Sequence, residues 1–302
     1  MNTVDVCLAT YKRPDFLRDA LQSLALQQLD SIRMRIIVVD NDRDETARIT
    51  VESFRNQAMC EVIYDVEPNQ NISMARNRAL GLVRADYLAF LDDDEIAPVD
   101  WLATLFATLQ RYDADVVFAP VWGVLPTGAP KWAKVIPVFQ RLHRTTGSIV
   151  KYGGAGNVLV KKDALGLPLQ KFDSAYGLSG GEDTDFFYRL YHMGRRMVWC
   201  DEALVSEQVP VNRLTLKWVR HRAYRSGQTY FRIFVRQYTL LRKTAWFVYK
   251  ILQLFAALLI MPFVGMVSYP YYVRLLIRVM GALGQMSAVF SEPAYEAYHG
   301  KN

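Results

Sequence analysis

An α/β fold, a mostly parallel central sheet flanked by helices, is predicted for this 302-residue chain by three observations. Strand-like apolar runs alternate with helical patterns through the first 120 residues. Several runs are continuous rather than alternating, as in "IIVV", which suits strands buried on both faces. Three of them end in polar or acidic residues, Thr10, Asp40 and Asp92 to Asp94, at the strand ends where such sheets bind ligands.

The elements follow in order. "TVDVCLAT" is a strand, and "PDFLRDALQSLALQQL" a helix with Pro14 near its start, where a helix tolerates proline. "MRIIVVDND" is a β-branched strand ending in acids, "DETARITVESFRNQ" a helix and "CEVIYDVEP" a strand. "SMARNRALGLVRA" is a helix with Ser73 as its expected N-cap. "DYLAFLDDDE" is the next strand, "VDWLATLFATLQRYD" the next helix and "ADVVFAPVWG" a further strand. Residues 120–210 are less regular. They include the glycine-rich "YGGAGNVLVKKDAL" and a helix, "TDFFYRLYHMG", ended by Gly194. Glu182 and Asp183 fall near that helix's N-terminus, where the dipole alone favours carboxylates.

The C-terminal region differs in character. No Asp or Glu occurs from Gln208 to Ser291, whereas twelve Lys and Arg do, so the remainder of a chain of net charge +6 is acidic. "LTLKWVRHRAYRSGQTYFRIFVRQYTLLRKTAWFVYK" is basic, aromatic and helix-like. Residues 251–273 carry no charge and are long enough to span a bilayer. Pro262, Gly265 and Pro270 leave a kinked, re-entrant or in-plane arrangement equally open. "RLLIRVMGALGQMSAVF" continues as a second apolar helix. A pair of soluble core helices is the alternative. Flanking cations and Trp246, Tyr249, Tyr269, Tyr271 and Tyr272 favour membrane association. Nucleic acid is the weaker explanation of the charge, because no recognised binding motif accompanies it. Cys7, Cys60 and Cys200 are far apart and form no CxxC, which argues against a disulfide framework or zinc site and suits a reducing compartment. The N-terminus lacks the pattern of a secretory signal.

The stretch "FLDDDEIAP" carries the chemistry. Adjacent carboxylates repel one another, and burying them is costly. A solvated acidic turn is one explanation; a divalent cation is the other. Two aspartates one residue apart, Asp92 and Asp94, offer oxygens to Mg2+ or Mn2+, whose remaining positions take water and phosphate. Such a metal helps a diphosphate depart. A later carboxylate from the Glu182–Asp183 pair would take the proton of an acceptor hydroxyl. Together these describe a nucleotide-sugar transferase.

"VCLATYKRPDFLRDALQSL", "IIVVDND", "NISMARNRAL", "YLAFLDDDE" and "GGEDTDFFYRL" occur in the order and rough spacing of the family 2 glycosyltransferases. Over residues 3 to 225 the chain resembles that family, and most of all bacterial glucosyltransferases of succinoglycan-type exopolysaccharide assembly. The resemblance implies a GT-A nucleotide-sugar-binding fold. It places Thr10, Tyr11 and Arg13 against the nucleotide, Asp40 on the uracil edge and Asp42 as a weaker base or ribose contact. It puts Arg76 near the nucleotide and the metal-site acids, with Asn77 bracing its helix. It makes Asp94 the direct metal ligand and Asp92 a ribose contact or second ligand. Asp93 lies between them and should point away by strand alternation. It makes Asp183 the general base and Glu182 a shaper of the acceptor pocket, while Asp185 reads as a helix-surface acid. Many relatives carry a histidine after the base. Here "VSEQVPVNR" has none, leaving Glu207, Gln208 or water as the third ligand. His143, His192, His221 and His299 are expected to be structural or exposed. Arg213, Arg222 and Arg225 stand equally for diphosphate or lipid contacts and for a membrane-surface role.

The expected organisation is a catalytic domain over residues 1–210, followed by membrane-associated helices over residues 211–302. Within the catalytic domain, residues 1–120 are expected to bind the nucleotide and residues 121–210 the acceptor. The expected function is metal-dependent, inverting transfer of a hexose, glucose foremost, from a UDP-sugar to a polyprenyl-diphosphate-linked saccharide. The expected location is the cytoplasmic face of the bacterial inner membrane, with membrane lipids as partners, no nucleic acid, and homo-oligomerisation left open. The alternatives are another donor such as GDP-mannose, or a non-catalytic nucleotide-sugar-binding scaffold at the membrane. A processive synthase is disfavoured by the lack of a Q-x-x-R-W motif.

Overall fold

A computed structural model describes residues 1–139 and 143–290. His299 lies outside the described residues. The chain divides into two compact units. The first is built from Met1–Trp122, Arg141–Leu178 and Glu182–Glu207, the second from Gly123–Gln140, Ser179–Gly181 and Gln208–Asn302.

The first unit opens with β1 (Asn2–Thr10), α1 (Pro14–Ala25), β2 (Ile32–Asp40), α2 (Arg48–Arg55), β3 (Val62–Val66), α3 (Ile72–Leu82) and β4 (Tyr87–Leu91). It continues with β5 (Glu95–Ile96), α4 (Trp101–Arg111) and β6 (Val116–Phe118). β7 (Val121–Val124) follows, and then β8 (Asn157–Lys161), α5 (Glu182–His192), β9 (Met197–Trp199) and β10 (Val205–Gln208). The main sheet has the order β3-β2-β1-β4-β8-β6-β9. β1 pairs in parallel with β2 and β4, β2 with β3, and β6 with β9. β8 runs antiparallel between β4 and β6.

Strand alternation divides the core. Val4, Val6 and Leu8 of β1 face α1 and α4, meeting Leu17, Leu21, Trp101 and Leu105. Cys7, Ile37 and Phe90 point the other way, toward α3 and α5 with Ala75, Ala79, Phe186 and Leu190. A sheet covered on both faces buries its strands fully, and that is why they read as continuous apolar runs. Pro14 sits in the first turn of α1, and the chain turns out of α5 at Gly194, with φ of 80°, as expected. All three cysteines are free.

Three local expectations are corrected. Ser73 does not cap α3; Asn71 does, accepting from the Met74 N–H at 3.1 Å. The Ser73 hydroxyl is buried and donates instead to the Asp173 carbonyl. "ADVVFAPVWG" is two strands, because Pro120 has no N–H to continue a ladder. The second apolar helix begins at Tyr269 rather than Arg274, because Ser268 breaks the charge-free run, as set out below.

The second unit is helical: α6 (Leu216–Tyr230), a π-helical turn at Phe231–Val235, α7 (Leu240–Val267) and α8 (Tyr269–Ser287). α7 begins eleven residues before the charge-free run and ends at Ser268, whose extended backbone breaks the helix. Pro262 lies inside α7, whereas Pro270 occupies the first turn of α8, where its missing N–H costs nothing. α6 and α8 approach at backbone distance. A Cβ on Gly227 would strike the Gly281 carbonyl, and one on Gly284 the Tyr224 carbonyl. Trp132, Ile136, Phe139, Val219 and Val273 form a buried cluster beside them.

Candidate active site

The polar groups gather where β1, β2 and β4 end. β4 runs apolar to Leu91 and then turns through Asp92, Asp93 and Asp94 into β5. The turn is held by Glu95, which is fully buried and accepts from the Asp92 N–H at 3.2 Å. Gly156 passes so close that a Cβ there would meet Asp92 Oδ2 at 2.8 Å and crowd Glu95 Oε1. A side chain at that position would have to push the two carboxylates aside.

The three aspartates have three environments. Asp92 is the most open, its side chain 40% exposed, and it accepts from Arg76 at 3.0 Å. Asp94 accepts from Arg13 at 3.0 Å. Asp93 turns inward, accepting from the Thr10 hydroxyl at 2.7 Å and Arg13 at 3.4 Å. Burial pushes its carboxyl up to about 7, against the pull of Arg13.

Arg76 is the centre of the arrangement. α3 carries it, 7% exposed, with its guanidinium 5.7 Å from the centre of the Phe172 ring. One arm donates to Asp92, and the other donates to Glu182 Oε1 at 2.6 Å. Asn77, one residue on, exchanges two 2.8 Å bonds with the backbone of Phe172 and so braces α3. Glu182, at the start of α5, is 3% exposed. Burial first, and the Asp183 charge next, push it up to about 7 in spite of Arg76. Its Oε2 is buried and has no hydrogen-bond partner among the described residues. Leaving such an oxygen unpaired costs about 1–3 kcal/mol, so it is poised for a ligand's donor. Asp183 is half-buried, and its Oδ1 accepts from the Thr184 N–H at 2.6 Å. Asp185 pairs with Arg189 one turn along at 2.9 Å.

At the end of β2 the two acids differ. Asp40 is fully buried, and both its oxygens are engaged: by the N–H groups of Asp42 and Ala47 and by the Tyr64 hydroxyl. Asp42 Oδ1 accepts from the Asp44 N–H and lies 3.9 Å from Lys12 Nζ. Its Oδ2 has no hydrogen-bond partner among the described residues. Tyr11 is half-buried, with Lys12 Nζ 5.4 Å from its ring centre.

The structure thus gathers two bonded clusters on one strand-end turn: Thr10, Arg13, Asp93 and Asp94 in the first, and Asp92, Arg76 and Glu182 in the second. Arg213, Arg222 and Arg225 belong to the other unit, where Arg213 and Arg222 lie over the Trp218 ring. His143 bonds Asp201 at 2.9 Å, and His192 and His221 are exposed. Glu207 of β10 stands directly opposite Glu95 in an antiparallel ladder, and Gln208 is exposed. Sequence reasoning missed Glu95, Gly156 and Phe172 as supports. Glu95 was visible in "LDDDE"; the other two arrive from 60 to 80 residues away and left no local signal.

Among the described residues no three His, Cys, Asp or Glu converge as a metal cage. The donor set nonetheless suits a hard cation. Asp92 and Asp94 present only oxygens, Asp92 has an open face, and Mg2+ or Mn2+ needs one or two carboxylates beside water and phosphate.

Acids stand at the ends of parallel strands, and one arginine ties Asp92 among them to Glu182 on a later helix. The chain belongs to glycosyl transferase family 2, whose profile matches residues 5–166. It is 38% identical over 244 residues to the succinoglycan biosynthesis protein ExoM of Rhizobium meliloti, spanning 80% of this chain and 78% of that one. Its fold resembles solved GT-A structures. The mannosyltransferase PcManGT of Pyrobaculum calidifontis, in complex with GDP-Man and Mn2+, superposes with a TM-score of 0.67 at 17% identity, over 95% of this chain and 87% of that one. TarS 1-349 of S. aureus, in complex with UDP-GlcNAc, gives 0.58 at 17% identity, over 95% and 91%.

Proposed function

We propose that the protein is a metal-dependent, inverting hexosyltransferase. It takes a UDP-sugar, glucose foremost, and passes the sugar to a polyprenyl-diphosphate-linked saccharide in cell-surface polysaccharide assembly. The reaction would run at the cytoplasmic face of the inner membrane. The carrying observation is Arg76, which ties Asp92 on the strand-end turn to Glu182 beside Asp183. That linkage holds the leaving-group side and the acceptor side of a single displacement at one guanidinium.

Thr10, Tyr11, Arg13, Asp40 and Asp42 would bind the nucleotide. Asp40, locked by three donors, sets the loop against the nucleotide, while Asp42 offers its buried, unpaired Oδ2. Mg2+ or Mn2+ at Asp92 and Asp94 would supply the positive charge that a departing diphosphate requires. Asp183 would take the acceptor hydroxyl's proton as that oxygen attacks the anomeric carbon. Glu182, protonated through much of the range below pH 7, would hydrogen-bond the acceptor without adding a second full charge beside Asp183. The likeness to a succinoglycan biosynthesis protein supports the exopolysaccharide setting. The UDP-GlcNAc and GDP-Man complexes of the structural relatives support a nucleotide-sugar donor and keep GDP-mannose as the second reading.

The test is calorimetric titration of UDP and GDP, with and without Mn2+, into wild-type protein and Asp94→Asn. Metal-dependent UDP binding that the variant loses supports this reading. Equal metal-free binding by both proteins overturns the metal site, and preference for GDP overturns the donor.

A further inference from the structure

We infer that α7 lies in the plane of one membrane leaflet, its apolar face against anionic lipid, and does not cross the bilayer. This rests on the membrane-associated reading above and goes beyond it by fixing the orientation. By length and hydropathy alone α7 qualifies as a span: 28 residues, mean hydropathy 2.0, none of its most apolar window buried. Its packing says otherwise.

The half-buried residues of α7 recur at positions 243, 246, 247, 250, 253, 254, 257, 261 and 264, a stripe at helical spacing along its whole length. That stripe packs on α8 as an antiparallel hairpin. Near the turn, a Cβ on Gly265 would lie 3.4 Å from the Tyr272 ring. At the other end, the rings of Phe247 and Phe290 are 6.2 Å apart. α7 therefore cannot stand upright without α8.

α8 is in turn covered from end to end. Val273, near its start, is fully buried in the cluster with Trp132, Phe139 and Val219. Gly281 and Gly284, near its end, meet α6 at backbone contact. The elements that cover it expose Lys131, Lys134, Lys217 and Arg220. An upright α7 would carry these cations to the depth of the acyl chains, where charged side chains are expelled. An in-plane α7 leaves them in water or at the headgroups. The opposite face of α7, with Leu252, Phe255, Leu259, Phe263 and Met266 more than half exposed, then sinks into the leaflet.

Charge selects the lipid. Among the described residues this unit holds no Asp or Glu; α6 carries Lys217, Arg220, Arg222 and Arg225, and α7 carries Arg242, Lys243 and Lys250 in its first eleven residues. Such a surface matches anionic headgroups.

Four single-cysteine variants test this in the full chain with Cys7, Cys60 and Cys200 replaced by Ala: Leu241→Cys, Leu252→Cys, Leu259→Cys and Met266→Cys. Their spacing places them on one exposed face of α7. Each is spin-labelled and reconstituted into phosphatidylglycerol–phosphatidylcholine vesicles, and its depth is read from oxygen and nickel-chelate accessibility. The expected result is one shared depth, about 5–10 Å below the headgroups. A V-shaped profile, with positions 252 and 259 near the midplane at about 15 Å and 241 and 266 shallow, overturns the in-plane inference and leaves membrane association intact. Failure of wild-type protein to co-sediment with anionic vesicles overturns both. Label protection that persists without vesicles, in a protein that sediments as a dimer, assigns the face to a second copy and overturns the inference.

Discussion

In the sheet-bearing unit, Asp5, Asp40, Asp93, Glu95 and Glu182 are all buried, and each is held by a named donor: Arg35, backbone N–H groups, Thr10 or Arg76. The helical unit has no acid among its described residues and joins α6 to α8 through glycine and backbone. A buried carboxylate must be compensated, and at Asp93 and Glu182 compensation is incomplete, since both stay near 7. Close helix contact needs no such balance, only the absence of a side chain. The first unit therefore stores its sensitivity in charge, and the second in volume.

The comparison can be broken at several points. Asp183→Asn should lower sugar transfer by about 10²–10⁴-fold and leave UDP binding unchanged; a coupled transfer assay beside calorimetry measures both. Arg76→Leu should destabilise the sheet unit by about 3–5 kcal/mol in urea unfolding, because it strands Glu182 beside Asp183. Arg76→Leu with Glu182→Leu should recover much of that loss.

A pH series in metal-free buffer sharpens the contrast. Asp93 holds its proton up to about 7 when folded but only to near 3.8 when unfolded. The folded state then binds more protons over that window, so stability falls as pH rises from about 4 to about 7, by up to about 4 kcal/mol. Asp93→Asn should reduce the slope and leave the part that Glu182 contributes, and the helical unit should show none of it. Gly284→Val should cost about 1–3 kcal/mol by forcing α6 from α8, and it should do so independently of pH. His143→Ala, which breaks a half-exposed pair with Asp201, should cost under about 1 kcal/mol.

What was legible in the sequence was local. The runs ending at Thr10, Asp40 and Asp92 announced strands with functional ends, because continuous β-branched runs and clustered acids are both short-range signals. Pro14 and Gly194 marked helix ends for the same reason. What could not be seen required a partner from elsewhere in the chain. Asn71 outcompetes Ser73 as cap because the Asp173 carbonyl captures the serine hydroxyl from 100 residues away. β8 inserts antiparallel between β4 and β6, which no periodicity within "NVLVK" specifies. The seating of α6 on α8 depends on Gly227, Gly281 and Gly284, whose spacing has meaning only once the helices meet.

Phe172 has a consequence for timing. Its ring stacks on Phe186 of α5 at 4.1 Å, and its backbone is clasped by Asn77 of α3. α3 and α5 are therefore registered by hydrocarbon and amide contacts as well as by the Arg76–Glu182 bond. The ordering entropy of that alignment is spent once, during folding, and not again at each turnover. Cooling weakens apolar contact while leaving the amide clasp in place. The ring is thus where a loss of alignment at low temperature should begin, felt as slower turnover before any fall in nucleotide affinity.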